Sequence, residues 1–412
     1  MKSAYNSLLF LFRIAAGFAS LFNRKADAFI KGRKGVFGRL EKDFKAQPAP
    51  VIWMHCASLG EFEQGRPVME LLKKDIPNCT ILLTFFSPSG YEVRKNYAGA
   101  DHICYLPWDT EQNAKRLISI ARPVLAIFVK YEFWYHYFNQ LHARNIPILS
   151  ISAIFRRDQL FFKPYGGFYT NILRKVSHFF VQNESSITLL NSIGIDQCTL
   201  AGDTRFDRVY QIVGNAEEVP LAARFKGQQQ MFVVGSCWPE DLEVLAPFIN
   251  THELKFIIAP HEVSESFITS IERTLKVTSI RYSKTDNVNL ALFQVLIVDN
   301  VGMLSRLYRY GEFAYVGGGF GKGLHNILEA ACYGRPVFFG NLKYQKFQEA
   351  VDLIARGAAF AIGNTGDLTT TYQTLLTNDR YASSCLAAEA YVRENLGATD
   401  KIIRYCRTLL TS

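Results

Sequence analysis

The sequence predicts an α/β protein built as two Rossmann-like halves, and three observations predict it. From residue 50 onward, short and nearly continuous apolar runs alternate with longer amphipathic stretches, the pattern of parallel strands covered on both faces by helices. The alternation breaks once, at Val213–Gly227 (VGNAEEVPLAARFKG), and then resumes. The chain has 412 residues, 49% hydrophobic and 20% charged, which is room for two large domains and excludes a disordered, collagenous or polytopic membrane chain.

Taken in order, the first element is an apolar stretch, Leu8 to Phe22, broken only by Arg13 and Ser20. It is shorter than the roughly 20 apolar residues of a spanning helix. Ala26-Asp27-Ala28 has the form of a signal-peptide cleavage site, but the charged run falls just before it. An interfacial helix fits better than a signal peptide or an ordinary core helix. Leu8, Leu11, Phe12, Ala15, Phe18 and Phe22 recur at helical spacing, and Arg24, Lys25, Lys31, Arg33 and Lys34 follow to meet anionic headgroups.

Strands are then predicted at 51–54, 80–85, 124–129, 146–151, 179–181 and 198–200, with helices at 62–74, 89–96, 110–121, 133–144 and 185–193 between them. After the break, strands follow at 231–235, 256–259, 277–282, 295–298, 313–316, 336–339 and 359–362. The expected organisation is a membrane-associating segment, 1–45, an N-terminal domain, 46–213, and a C-terminal domain, 227–412, whose last helix can pack back on the N-terminal one. Two such halves are expected to face a central cleft.

Charge is unevenly spread. The net charge is +9, yet residues 1–50 hold 10 basic and 3 acidic residues, so +7 of it lies there. A basic segment attached to a nearly neutral body, without a recognition motif, argues against a nucleic-acid partner. The eight cysteines form no CxxC pair, which points away from a zinc ribbon or a disulfide framework and toward a reducing compartment. The eight histidines are scattered, with no HxxxH and no DxD, so no metal site is expected.

Four segments carry possible chemistry. His55-Cys56-Ala57-Ser58-Leu59-Gly60-Glu61 joins the first strand to a helix, so Glu61 reads either as a helix cap or as a general base at a cleft wall. Glu132, in Lys130-Tyr131-Glu132-Phe133-Trp134, and Arg205, in Gly202-Asp203-Thr204-Arg205-Phe206-Asp207, also follow strands of the first half. Three strand ends bearing Glu, Glu and Arg suit a polar, anionic substrate. Gly317-Gly318-Gly319-Phe320-Gly321-Lys322-Gly323 leads into His325-Asn326-Ile327-Leu328-Glu329 as a strand, a glycine loop and a helix. That layout can hold phosphate on backbone N–H groups, with Glu329 one turn into the helix for ribose hydroxyls. It is neither a Walker A loop nor a dinucleotide fingerprint.

At these residues the sequence resembles the 3-deoxy-D-manno-octulosonic acid (Kdo) transferases of lipopolysaccharide synthesis. Ser58-Leu59-Gly60-Glu61 stands where that family has S-V-G-E, and Tyr131-Glu132-Phe133-Trp134 where it has T-E-L-W. The Gly202–Asp207 run stands for G-x-x-K-F-D, and His325-Asn326-Ile327-Leu328-Glu329 for H-N-P-L-E. The resemblance implies a GT-B fold and an inverting, metal-independent transfer of Kdo from CMP-Kdo to a lipid A precursor of the lipid IVA type. The implied place is the cytoplasmic face of the bacterial inner membrane, with residues 1–45 on its anionic surface. Glu61 matches the catalytic base, and Glu132 and Arg205 match residues assisting the transition state. CMP contacts carry over to Pro260 and His261, to Val301, Gly302 and Met303, and to Asn326, Ile327, Leu328 and Glu329. Departures are Arg205 for Lys, Pro260-His261-Glu262 for P-R-H-P-E, Ile327 for Pro, and Tyr135 for the Pro after the tryptophan.

Rival readings are another GT-B transferase or a nucleotide-sugar epimerase, and a membrane-peripheral nucleotide-binding protein without catalysis. Sugar-nucleotide preference and acceptor-dependent CMP release separate the first pair. Dispensability of Glu61 would mark the last.

Overall fold

The computed structural model of the chain describes residues 1–45, 49–377 and 379–411. It divides into two units, Met1–Arg208 with Leu396–Ser412, and Val209–Asn395. Each is a seven-stranded sheet paired in parallel throughout.

In the first unit the strands are β1 (Val51–Cys56), β2 (Thr80–Phe85), β3 (His102–Tyr105), β4 (Pro123–Val129), β5 (Ile148–Ala153), β6 (His178–Val181) and β7 (Cys198–Leu200), in spatial order β3-β2-β1-β4-β5-β6-β7. β1, β2 and β5 are buried along their whole length, which is why their sequence reads as unbroken apolar runs. Alternate side chains feed two cores. One holds Trp53, Phe128, Tyr137 and Phe179, and the other Met54, Phe62, Ile127 and Phe180. The second core also takes Ala398, Ile402, Ile403 and Cys406 from the final helix, Ala398–Thr411.

The second unit has β8 (Met231–Cys237), β9 (Lys255–Pro260), β10 (Ser279–Arg281), β11 (Val295–Ile297), β12 (Phe313–Val316), β13 (Val337–Gly340) and β14 (Ala359–Ile362), in the order β10-β11-β9-β8-β12-β13-β14. The second sheet has β11 inserted between β10 and β9, and in both sheets the strand order reverses beside the first strand, between β1 and β4 and between β8 and β12. Ligands of open parallel sheets bind beyond the carboxyl ends of the strands at such a point.

Three local readings of the sequence change. β3 and the helix Gly167–Leu173 were absent from the pattern. The break at Val213–Gly227 contains a helix, Pro220–Lys226, whose Ala222 and Phe225 are buried. Proline at its first position is compatible with that start, since the missing N–H has no intrahelical partner there.

The N-terminal helix, Lys2–Ala19, has no buried residue. One side docks on the first unit, where Tyr5 donates to Asp109 Oδ2 (2.6 Å) and Phe12 meets Phe29, Phe86 and Trp108. Leu8, Leu11, Phe18 and Phe22 are exposed, Phe22 at 90%. No helix among the described residues is long and apolar enough to cross a membrane. Arg33 is withdrawn from the basic run. It donates to the Phe29, Phe86 and Leu106 carbonyls among four aromatic rings, and burial lowers its pKa to about 10.

Candidate active site

Glu61 and Glu132 come from the two strands that flank the order reversal of the first sheet. β1 ends at Cys56, and the helix Leu59–Asp75 begins three residues later with Ser58 as its N-cap. Glu61 closes the capping box, its Oε2 accepting from the Ala57 N–H (2.5 Å) and the Ser58 N–H (3.1 Å). The cap and base readings of this residue are therefore not exclusive. Burial, and next the neighbouring Glu132 charge, raise the Glu61 carboxyl to about 7 despite the two N–H donors and Lys130.

β4 ends at Val129, and Lys130 takes a left-handed conformation (φ 61°) that turns the chain toward Glu132. Glu132 Oε2 accepts from Trp134 Nε1–H (2.9 Å) and from His55 Nε2 (3.2 Å), and His55 is fully buried on β1. The Tyr131 phenol is raised, by burial first, with the Glu61 charge contributing.

Arg205 stands in a different polar network. Its Nε donates to Asp203 Oδ2 and its backbone N–H to Oδ1, both at 2.9 Å, and Gln64 Nε2 donates to the same Oδ1 (2.9 Å). Thr204 and Ser152 share a hydrogen bond (2.9 Å) beneath it. Asp203 lies below the usual carboxylate range: burial opposes this, and Arg205 leads the groups that favour its charge. The Glu132 charge thus acts on Glu61, whereas Arg205 is oriented by Asp203. The Lys130 charge acts on both Glu61 and Asp203.

In the second unit Pro260 closes β9 and His261 follows it. His261 stacks on Trp238 at 4.1 Å between ring centres and lies 4.4 Å from His325. Trp238 Nε1–H donates to His325 Nε2 (3.0 Å), and burial pushes His325 down to about 4, so the ring is neutral and this nitrogen accepts. Asp241 sits beneath the loops after β8 and β12, accepting from Tyr315 OH (2.7 Å) and from the Gly318 and Trp238 N–H groups (2.9 Å each). At Gly317 an added Cβ would lie 2.1 Å from the Ser236 carbonyl oxygen, so glycine alone fits that approach.

The helix after the glycine loop starts later than the sequence layout implies. It is the short Leu328–Ala331, with His325 and Asn326 in the loop and Glu329 as its second residue. Asn326 Oδ1 accepts from the Leu328 N–H (3.2 Å), and its Nδ2 donates to Glu329 Oε1 (3.3 Å). Ile327 and Leu328 are buried, which leaves their backbone rather than their side chains for a ligand. Val301 is 84% exposed, Gly302 is left-handed (φ 90°) and Met303 is buried, on the turn after β11, which β9 separates from β8. A cavity of about 390 Å³ is lined by Trp238, Glu262, Ser264, Phe267 and Lys322 among others, and by none of Pro260, His261, residues 301–303 or residues 326–329. Among the described residues, no group of three His, Cys, Asp or Glu is placed to hold a metal ion.

His55, Trp134, Asp203, Trp238 and Asp241 were not singled out from the sequence. His55, Trp134 and Asp203 lie inside runs that were; Trp238 and Asp241 follow a predicted strand with no motif to mark them.

Comparison with known proteins bears on the family and the fold. Residues 31–208 match the family model of 3-deoxy-D-manno-octulosonic-acid transferases (kdotransferases). A 3-deoxy-D-manno-octulosonic acid transferase of Haemophilus influenzae is 23% identical over 97% of this chain and 96% of its own length. The family model covers the first part of the chain, and along most of its length the chain is similar to curated Kdo transferases. A Kdo transferase of Rickettsia typhi is 27% identical over 84% of this chain and 75% of its own. Among solved structures, UDP-GlcNAc 2-epimerase of Neisseria meningitidis bound to UDP-GlcNAc superposes with a TM-score of 0.60 at 16% identity, over 88% of this chain and all of that one. At that identity the likeness concerns the fold, which is α/β GT-B. The sequence similarity, not the fold likeness, supports a glycosyltransferase that moves Kdo in lipopolysaccharide synthesis.

Proposed function

We propose that the enzyme transfers Kdo with inversion from CMP-Kdo to a lipid A precursor of the lipid IVA type, with Glu61 as general base. The first unit then receives the acceptor and the second holds the CMP group. The acceptor hydroxyl attacks the anomeric carbon, its proton passes to Glu61, and CMP leaves with the electron pair of the broken C–O bond. The observation that carries this reading is a carboxyl at the β1/β4 order reversal poised near 7, where a base is half available at neutral pH. A base beside a basic cleft needs no large rise, because the proton moves as positive character develops at the anomeric carbon; burial and Glu132 nevertheless raise this one.

Arg205, held by Asp203, would meet negative charge developing on the donor. On the donor side, Pro260, His261, the 301–303 turn and residues 326–329 would contact CMP. Cationic side chains and backbone N–H groups, rather than a metal ion, would meet the leaving phosphate. The exposed apolar face of the N-terminal helix, beside Arg24, Lys25 and Lys31, supports seating on the anionic cytoplasmic surface of the inner membrane.

Transfer is tested by mass spectrometry of a tetra-acylated lipid A precursor incubated with CMP-Kdo. Glu61→Gln should lower the transfer rate roughly 10²- to 10⁴-fold while CMP still binds. Near wild-type transfer by that variant would overturn the assignment.

A further inference from the structure

We propose that His55 is a positioning residue for transfer: its Nε2–H holds the Glu132 carboxylate where its charge acts on Glu61. The inference rests on the reading of Glu61 as base and Glu132 as its partner.

The geometry is a single buried chain of hydrogen bonds across β1 and β2. Trp53 Nε1–H donates to Thr84 Oγ1 (2.9 Å), which frees the hydroxyl hydrogen of Thr84 for His55 Nδ1 at 2.8 Å. The Thr84 carbonyl oxygen lies 3.1 Å from the same nitrogen. At the far side of the ring, Nε2 is 3.2 Å from Glu132 Oε2. An imidazole nitrogen facing a carboxylate oxygen carries the hydrogen, so Nε2 is the donor whichever partner Nδ1 engages.

His55 is fully buried, as are Thr84 and Trp53, so the ring has little room to swing away. Phe128 lies 5.5 Å from it between ring centres, and Trp134 lies 6.4 Å away. Trp134 donates to the same oxygen as His55, leaving Oε1 as the other face of the carboxylate. A histidine alone on an apolar strand is ordinarily a satisfied core residue. This one spends its only outward hydrogen bond on a carboxylate that acts on the candidate base.

The charged and titratable groups that interact with that carboxylate pair are Cys56 on β1, which feels both carboxylates, and Lys130 and Tyr131 after β4, which interact with Glu61. Of the charges acting on Glu61, Glu132 favours its protonated form and Lys130 its ionised form. Losing the hold on Glu132 should therefore make Glu61 ionise at lower pH.

The experiment is a set of variants assayed for kcat, donor KM and the acidic limb of the kcat profile. His55→Leu should lower kcat at least tenfold, change donor KM less than twofold, and move the acidic limb to lower pH. His55→Gln, which restores an N–H near the Nε2 position, should recover most of kcat. If His55 works through Glu132, His55→Leu added to Glu132→Gln should cost nothing beyond Glu132→Gln alone. A wild-type kcat and limb in His55→Leu, or losses that multiply in the double variant, would overturn the proposal. Wild-type transfer by Glu132→Gln would instead remove Glu132 from the machinery and leave the geometry without a catalytic use. Should His55→Leu fail to fold, Trp134→Phe and Thr84→Val test the same hold from either end. A wild-type limb in both would overturn it.

Discussion

A carboxyl raised to about 7 has a stability consequence as well as a chemical one. Its folded-state pKa lies above the ordinary 4.5, so the folded protein binds the proton more tightly than the unfolded chain. Stability from this residue is complete below about pH 4.5 and is lost as pH rises through 7. Glu61→Gln removes that titration while keeping an oxygen for the Ala57 and Ser58 N–H groups. The variant should be more stable than wild type above pH 7 by about 1–2 kcal/mol, discounted for partial exposure, and no more stable near pH 4. Melting curves at pH 4 and pH 8 check this, and an equal difference at both would refute it. A base that costs stability at the pH where it works is the usual trade between activity and stability. Arg205 shows a different economy: its charge is aimed by Asp203 and Gln64, so a substitution for the family's lysine comes with its own supporting pair.

Strands were the most legible elements, because burial on both faces leaves continuous apolar runs that survive any neighbour. β3 escaped because its first two residues, His102 and Ile103, are only half-buried and its run is four residues long. The helix Pro220–Lys226 escaped because proline and the acidic pair before it read as a linker. Candidate site residues were legible where a carboxylate follows a strand within a few residues, as at Glu61 and Glu132. They were not where a buried side chain works through hydrogen bonds, as at His55, since those partners lie on other strands. The N-terminal helix and the turn after it leave apolar side chains uncovered. Leu11, Phe18 and Phe22 are exposed, and Phe12 faces the body. Replacing Leu11, Phe18 and Phe22 with serine should leave the melting temperature within 2 °C and lower partition onto vesicles of anionic lipid at least tenfold, given roughly 1.5–3 kcal/mol per buried large apolar side chain. Sedimentation with such vesicles measures it; unchanged partition would mean that the helix is only part of the fold.

At the scale of the whole chain, the run Gly202–Asp207 joins the site to the path of the polypeptide. Asp203 orients Arg205, Thr204 bonds the Gln64 carbonyl (2.6 Å), and Phe206 is buried. Asp207 accepts from the Gly397 N–H (2.7 Å) and the Thr399 N–H (2.6 Å), capping the final helix that returns to the first unit. A carboxylate at that helix N-terminus satisfies two otherwise unpaired donors and matches the helix dipole. The returning helix also buries Ile402 and Ile403 against the β1 and β2 core. The first unit is therefore completed by the last residues of the chain, although nearly all its strands precede residue 200. Truncation after Asn395 should remove about 3–6 kcal/mol of apolar burial from Ile402 and Ile403 alone, enough to unfold a unit of ordinary stability. Ile402→Ala is the milder version and should cost about 2–5 kcal/mol. Limited proteolysis should then cut within residues 1–208 first and spare Val209–Asn395, because no strand of the second sheet depends on the missing helix. Equal protection of both units in the truncated chain would show that the final helix is not what holds the first sheet's core closed.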